Sequence, residues 1–193
     1  MRFAPTAATL LLATIASLAT PTRADASGGD DTSSLQVLFA ATGAKTERAS
    51  DAAALSALKI GYRPNDWLSF YVFNRFGYGA EYSRFLTFIS LGTQLTFDAG
   101  GVNPYLRLAI AHQHEESPET FKHNPLSSIL GFSSGIHHRG GAETAIGVEL
   151  PLTAVAELQA FAAIEASTIF FFDANGPRIY AGGTAGLGIN YAL

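Results

Sequence analysis

The chain contains no cysteine, which excludes disulfide bonds and thiol chemistry. Charged residues make up 15% of it, below the roughly 25% that is usual for soluble domains. Lysine occurs only as Lys45, Lys59 and Lys122. Beyond the N-terminal segment, no apolar run is long enough for a membrane-spanning helix. The mildly acidic balance does not favour a nucleic-acid partner. A chain with so few charged residues cannot cover its apolar surface with charged side chains, so that surface must be sheltered from water in another way.

The N-terminus has the pattern of a secretory signal peptide. Arg2 provides a positive start, an apolar run extends from Ala8 to Ala19, and Ala24 to Ala26 form an A-x-A cleavage pattern. The run is short for a spanning helix, so we expect residues 1–26 to be a signal peptide and residues 27–193 to form one domain. An uncleaved membrane anchor is the alternative.

Alternation of apolar residues with a period of two predicts eight β-strands. The clearest alternation runs from Phe85 to Phe97. Trp67–Gly77 is apolar on both faces, which leaves its phase open, and the composition of Thr153–Ser167 would also suit a helix. The other strands are predicted at Leu35–Ala41, Ala57–Arg63, Leu106–His114, Arg139–Leu150 and Ile179–Leu193.

The connections between these strands alternate in length, which predicts the topology. The short ones, most of them rich in turn residues, are residues 63–66, 98–103 and 150–153, and the longer ones are residues 43–51, 78–83, 115–136 and 168–178. All tight turns then lie at one end of the sheet, as in transmembrane barrels with short periplasmic turns. The expected fold is all-β: an eight-stranded antiparallel up-and-down transmembrane β-barrel.

The composition of the two strand faces indicates which one points inward. One face mixes glycine and alanine with a few charges of both signs, as a narrow filled lumen requires. The other is apolar and ends in aromatic residues such as Tyr62, Phe85, Phe97 and Tyr191, typical of the girdles at a membrane boundary. A soluble lipocalin-like ligand carrier, with an apolar interior, is the rival interpretation.

The C-terminal "AGLGINYAL" resembles the last strand of bacterial outer-membrane proteins, with Leu193 in place of the usual final aromatic residue. The strand plan is similar to that of small eight-stranded barrels such as the OmpA membrane domain and the OmpW-like proteins. The resemblance implies a monomer in the outer membrane of a Gram-negative-type bacterium. It also implies contacts with outer-membrane lipids, including lipopolysaccharide, and recognition of the C-terminal strand by the barrel assembly machinery.

Histidines cluster at the predicted outer ends of two neighbouring strands. By phase, His112, His114 and His138 point outward from the barrel. A polar interfacial rim, a site for zinc, copper or nickel, and a lipid-hydrolysing site are the three interpretations. "HQH" alone has no third ligand fixed by spacing. Outer-membrane lipid A deacylases carry a serine two residues after the histidine, where this chain has His114.

Several charged residues are predicted to face the lumen, where they would form either an ion path or a set of pairs that fills it. Charges in a low-dielectric interior need partners, which favours the filled lumen. The predicted network is Arg107, Arg139, Glu143, Glu149, Glu157 and Glu165. We therefore expect a structural, surface or small-solute passage role without a cofactor or catalysis, and an envelope-lipid hydrolase is the main alternative.

Overall fold

A computed structural model describes residues 33–46, 52–80, 84–123, 125–130, 136–174 and 176–193. The predicted signal peptide lies outside these residues. Eight antiparallel strands close into a barrel in chain order, with β1 hydrogen-bonded to β8, which confirms the predicted fold class. None of the helices in the described part of the chain is long and apolar enough to cross a membrane. The strands are β1 (Ser34–Thr46), β2 (Ala52–Arg63), β3 (Leu68–Gly79), β4 (Arg84–Thr96), β5 (Asn103–Glu116), β6 (His137–Val155), β7 (Leu158–Phe171) and β8 (Arg178–Ala192).

The two ends of the barrel differ in their connections, and we call them the turn end and the loop end. At the turn end, the side chain of Asn65 accepts hydrogen bonds from backbone N–H groups to close the β2–β3 turn. Asp98 accepts one from Gly100 in the β4–β5 turn, where Gly100 has a φ of 74° that favours glycine. The backbone of Leu193 bonds that of Ser33 at the same end. The connection between β5 and β6, residues 117–136, is the longest and lies at the loop end. The other connections at that end are no longer than the β4–β5 turn, so the predicted alternation in length rests on this one connection.

The β6–β7 turn corrects the sequence prediction. The segment Leu150–Thr153 is not the turn, because β6 continues to Val155 and the register shifts between Pro151 and Thr153. Proline has no N–H to donate to the ladder, and a β-bulge beside it absorbs the irregularity. The turn is Ala156–Glu157, closed by the pair Val155–Leu158. Strand β7 therefore begins at Leu158 rather than Thr153.

Side chains alternate between a crowded interior and an apolar exterior. In β3, whose phase the sequence leaves open, Tyr71, Phe73 and Arg75 point inward and are buried. Glycines make room for large rings inside: a Cβ on Gly147 would lie 2.4 Å from Cζ of Tyr105, its partner in register on β5. Outward-facing residues that are among the most exposed large apolar side chains are Phe39, Ile60, Leu91, Leu108, Ile110, Ile146 and Leu187.

Two short helices follow β5 at the loop end: α1 (Pro118–His123) and α2 (Pro125–Leu130). Proline suits the first position of α1, because its fixed φ is helical and the N–H that it lacks would have no intrahelical acceptor there. The ring of Phe121 in α1 stacks on the outward-facing ring of Phe85 in β4, with centroids 3.9 Å apart. This part of the loop therefore lies against the outer wall of the barrel rather than over its opening.

Candidate functional site

Two arginines and two glutamates meet near the middle of the lumen, and we call Arg75, Arg107, Glu143 and Glu165 the middle ionic layer. Arg107 donates from Nε and Nη2 to both oxygens of Glu165, at 2.8 and 2.6 Å. Its Nη2 also lies 2.8 Å from Oε1 of Glu143. Arg75 forms a two-bond pair with Glu143 from the opposite side. With two charges of each sign, the layer is neutral.

The middle ionic layer reaches across the full width of the barrel. Arg75 Nη2 lies 3.9 Å from Oε1 of Glu165, and their strands, β3 and β7, are diametrically opposed in a ring of eight. The hydroxyl of Tyr105 donates to Glu165 at 3.0 Å, while that of Ser90 donates to Glu143. Buried carboxylates are thus supplied with several donors each, as burial of charge requires.

A second set of charges, the lower ionic layer, consists of Lys59, Arg63 and Glu149 toward the turn end. Arg63 Nη1 and Lys59 Nζ lie 3.1 and 3.8 Å from the carboxylate of Glu149. Strands β2 and β6 are again diametrically opposed. Gln36 and Gln94 each donate to Glu149, at 3.2 and 2.8 Å. A second cross-section of the lumen is therefore filled by groups that bond to one another.

Rings from three strands form an aromatic layer between the middle ionic layer and the loop end. The centroid of Phe88 lies 5.6 Å from that of Phe171 and 5.0 Å from that of Tyr180. All three side chains are buried. These residues belong to β4, β7 and β8, so rings from opposite walls of the barrel pack against one another inside the lumen at this level.

The loop end of the lumen carries a further set of ion pairs, the rim pairs. Glu115 bonds Arg84 at 2.8 Å and also Arg139, which in turn bonds Asp173. Glu115 lies beyond Ile110, the last apolar outward residue of β5. Burial alone would raise the pKa of Glu115, but the guanidinium groups of Arg84 and Arg139 outweigh it and hold the pKa below its ordinary value of 4.5.

The predicted lumen charges are divided among these layers. Arg107, Glu143 and Glu165 lie in the middle ionic layer, Glu149 in the lower ionic layer and Arg139 among the rim pairs. Glu157 does not face the lumen as predicted: the bulge in β6 moves the turn to Ala156–Glu157, where its side chain is exposed.

Sequence reasoning missed several of the lumen cations, among them Lys59, Arg63 and Arg75 of the ionic layers and Arg84 of the rim pairs. Lys59 and Arg63 alternate with the outward residues of β2, so their phase already pointed inward and could have identified them. Arg75 had no such signal, because β3 is apolar on both faces. Its place in the lumen follows only from the pairing of β3 with its neighbours.

Three imidazoles come together on the outer wall near the loop end, and we call His112, His114 and His138 the histidine triad. His112 and His114 are alternate residues of β5 and share its outward face, while His138 of β6 is the register partner of His114. Their ring centroids are 4.7, 4.9 and 5.4 Å apart. The cross-strand register supplies the third ring that the "HQH" spacing lacks.

A lipid hydrolase would need a nucleophile oriented by one of these imidazoles. The nearest serine in sequence, Ser117, instead caps α1: its Oγ accepts a hydrogen bond from the Thr120 N–H at 3.2 Å. Ser133 and Ser134 lie outside the described residues. The hydroxyl of Ser117 is therefore engaged with α1 rather than with an imidazole of the triad.

The fold is similar to that of solved outer-membrane barrels. Neisserial surface protein A, a protein of Neisseria, matches with a TM-score of 0.54 and 18% identity over 83% of this chain and 97% of that one. The N-terminal β-barrel domain of OprF from Pseudomonas aeruginosa has a TM-score of 0.48 and 17% identity, covering 85% and 100%. For Ail, the attachment invasion locus protein of Yersinia pestis, the TM-score is 0.45 and the identity 17%, covering 86% and 100%.

No family model and no curated protein sequence matches the chain. The likeness to solved structures concerns the fold alone. It agrees with the closed eight-stranded antiparallel barrel seen here.

Proposed function

We propose that this chain is a closed outer-membrane barrel that holds its loops at the cell surface and conducts no solute. The observation that carries the proposal is the pair of ionic layers, each with an ion pair between opposite walls of the barrel. Arg75–Glu165 joins β3 to β7, and Arg63–Glu149 joins β2 to β6. An eight-stranded barrel is just wide enough for side chains to fill it. Of the roles expected from the sequence, structure and surface presentation therefore fit better than small-solute passage.

The exterior supports the membrane location. Large apolar side chains face outward around the barrel, whereas arginine and glutamate side chains face inward; Ile110 is 69% exposed and Arg107 0%. A soluble carrier would have the reverse arrangement. Closure of the sheet also leaves no unpaired edge, which hydrocarbon would not tolerate. Lipids of the outer membrane, lipopolysaccharide included, are the partners that such a surface would meet.

The remaining parts of the proposal follow from the same fold. The loop end carries the longest connection, residues 117–136, and would face the cell exterior, as in other transmembrane barrels. Strand β8, with Leu187, Ile189 and Tyr191 on its outward face, would be the segment that the barrel assembly machinery recognises. We propose that the chain is a monomer and has no hydrolase activity that depends on Ser117, whose hydroxyl caps α1.

Planar-bilayer conductance of the refolded protein tests the closed lumen. We expect no discrete current steps from protein that floats with lipid vesicles and shows a heat-modifiable gel shift, with a general porin as the positive control for the bilayer. Discrete steps from the folded, inserted protein would contradict the closed lumen. Stable folded protein in buffer without detergent would contradict the membrane location itself.

A further inference from the structure

The nitrogen atoms of the histidine triad face one another closely enough to share a ligand. Nε2 of His112 lies 3.2 Å from Nδ1 of His138, and one nitrogen from each of the three rings lies within 4.8 Å of the others. One hydrogen bond between His112 and His138 accounts for two of the rings. The third ring, that of His114, lies beside them because His114 is the register partner of His138 and is two residues from His112 on β5.

The shortest of these separations fits tetrahedral zinc. Two imidazole nitrogens bound at 2.0–2.1 Å to one tetrahedral ion are about 3.3 Å apart, close to the 3.2 Å between His112 and His138. The largest separation would have to shorten by up to about 1.5 Å, from 4.8 Å, which small rotations of side-chain torsions accomplish. Neutral imidazole is also the commonest protein ligand for metals.

The three histidines are held in place by two paired β-strands, which are rigid elements. His112 and His114 are separated by one residue of β5, and His138 is held opposite His114 by the β5–β6 ladder. His114 is only 4% exposed, while His112 and His138 are exposed, so an ion could reach the cluster from one side. Gly140, the register partner of His112, has nothing within 4 Å of where a Cβ would lie. The open side leaves a fourth coordination position.

We propose that the histidine triad is a binding site for a single zinc ion, with three imidazole ligands and an open fourth position. The site is independent of whether the lumen conducts. Bound zinc links the outer ends of β5 and β6 at the base of the connection that carries α1 and α2. Three protein ligands with one free position are the arrangement of zinc sites that bind a further molecule.

Zinc titration of the refolded, full-length barrel in detergent micelles, in competition with a chromogenic chelator, tests the site. We expect one zinc ion per chain, and a loss of affinity of about a hundredfold or more for His112→Ala and for His138→Ala, because each removes one of three ligands. His123→Ala and His137→Ala are matched controls. His123 lies in α1 and His137 next to the triad, and neither is among the three grouped nitrogens.

Two further measurements keep the test decisive. The heat-modifiable gel shift confirms that each variant is folded before titration, and cobalt substitution should give the intense visible absorption of a tetrahedral site in the parent protein. The proposal is overturned if the folded parent binds no zinc ion stoichiometrically. It is equally overturned if the two triad variants bind as the parent does, or if the control variants lose as much affinity as they do.

Discussion

Replacing Arg107 by methionine tests how the lumen is held together. Methionine matches much of the arginine side chain in length but carries no charge. The change removes two contacts to Glu165, at 2.8 and 2.6 Å, and one to Glu143, at 2.8 Å. Glu143 keeps the guanidinium of Arg75. Among the described residues, Glu165 keeps the Tyr105 hydroxyl at 3.0 Å and the more distant Arg75 at 3.9 Å.

The cost therefore falls on Glu165, which becomes a buried carboxylate whose remaining cation, Arg75, lies 3.9 Å away without a hydrogen bond. Removing one partner of a buried ion pair costs about 3–5 kcal/mol, so we expect Arg107→Met to lower the free energy of unfolding by that amount. Adding Glu165→Gln removes the orphaned charge and keeps an acceptor for Tyr105. We expect the double variant to regain at least half of the loss.

Urea unfolding of the inserted protein in lipid vesicles, followed by the fluorescence of Trp67 and by the heat-modifiable gel shift, measures these free energies. Arg178→Met is the control. Arg178 is 20% exposed and 3.6 Å from Asp173, and such a partly exposed pair is worth about 0–1 kcal/mol. The reasoning fails if Arg107→Met costs less than about 1 kcal/mol, or if the double variant is no more stable than the single one.

Two other predictions concern the exterior and the rim. Leu108 lies halfway along the outward apolar face of β5, so Leu108→Arg should cost about 2–4 kcal/mol in a bilayer. Leu126→Arg in α2 should change little, because Leu126 is 71% exposed. Equal costs of the two substitutions in vesicle unfolding would contradict a lipid-facing β5. At the rim, the pKa of Glu115 is lowered by Arg84 and Arg139 despite its burial. Its stabilising contribution is then complete above about pH 4.5 and lost as pH falls through the lower folded value. The difference in unfolding free energy between the parent and Glu115→Gln should shrink on acidification below pH 4.5, and a difference that grows there would contradict this sign.

The regularity of the strands made most of the fold predictable. Side chains of a strand alternate faces with a period of two whatever its neighbours are, so the faces of β2, β4 and β5 could be read from composition. The orientation of the triad histidines and of Arg107 followed in the same way. Turn residues such as Asn65 and Asp98 act through local hydrogen bonds, which is why the turns that they close were placed correctly.

The prediction failed where a local signal had two meanings. Pro151 suggested a turn, but a proline also fits beside a bulge, and only the pairing of β6 with β7 shows which applies. That single shift removed Glu157 from the lumen. In β3, Phe70 and Tyr71 are both aromatic, so composition does not say which of them points inward. The register with β4 places Tyr71 and Arg75 inside the barrel.

The sequence by itself determined the strands, their faces and the kind of residue on each face, because these depend on neighbours one or two positions apart. The tertiary structure decided which residues meet. Arg75 and Glu165 stand 90 positions apart in the sequence, and they approach only because eight strands close into a ring. His138 reaches His114 through the register of one strand pair. Such contacts depend on the closure of the barrel and on the register of its strands. Both arise from all eight strands together, so the sequence of a single strand does not reveal them.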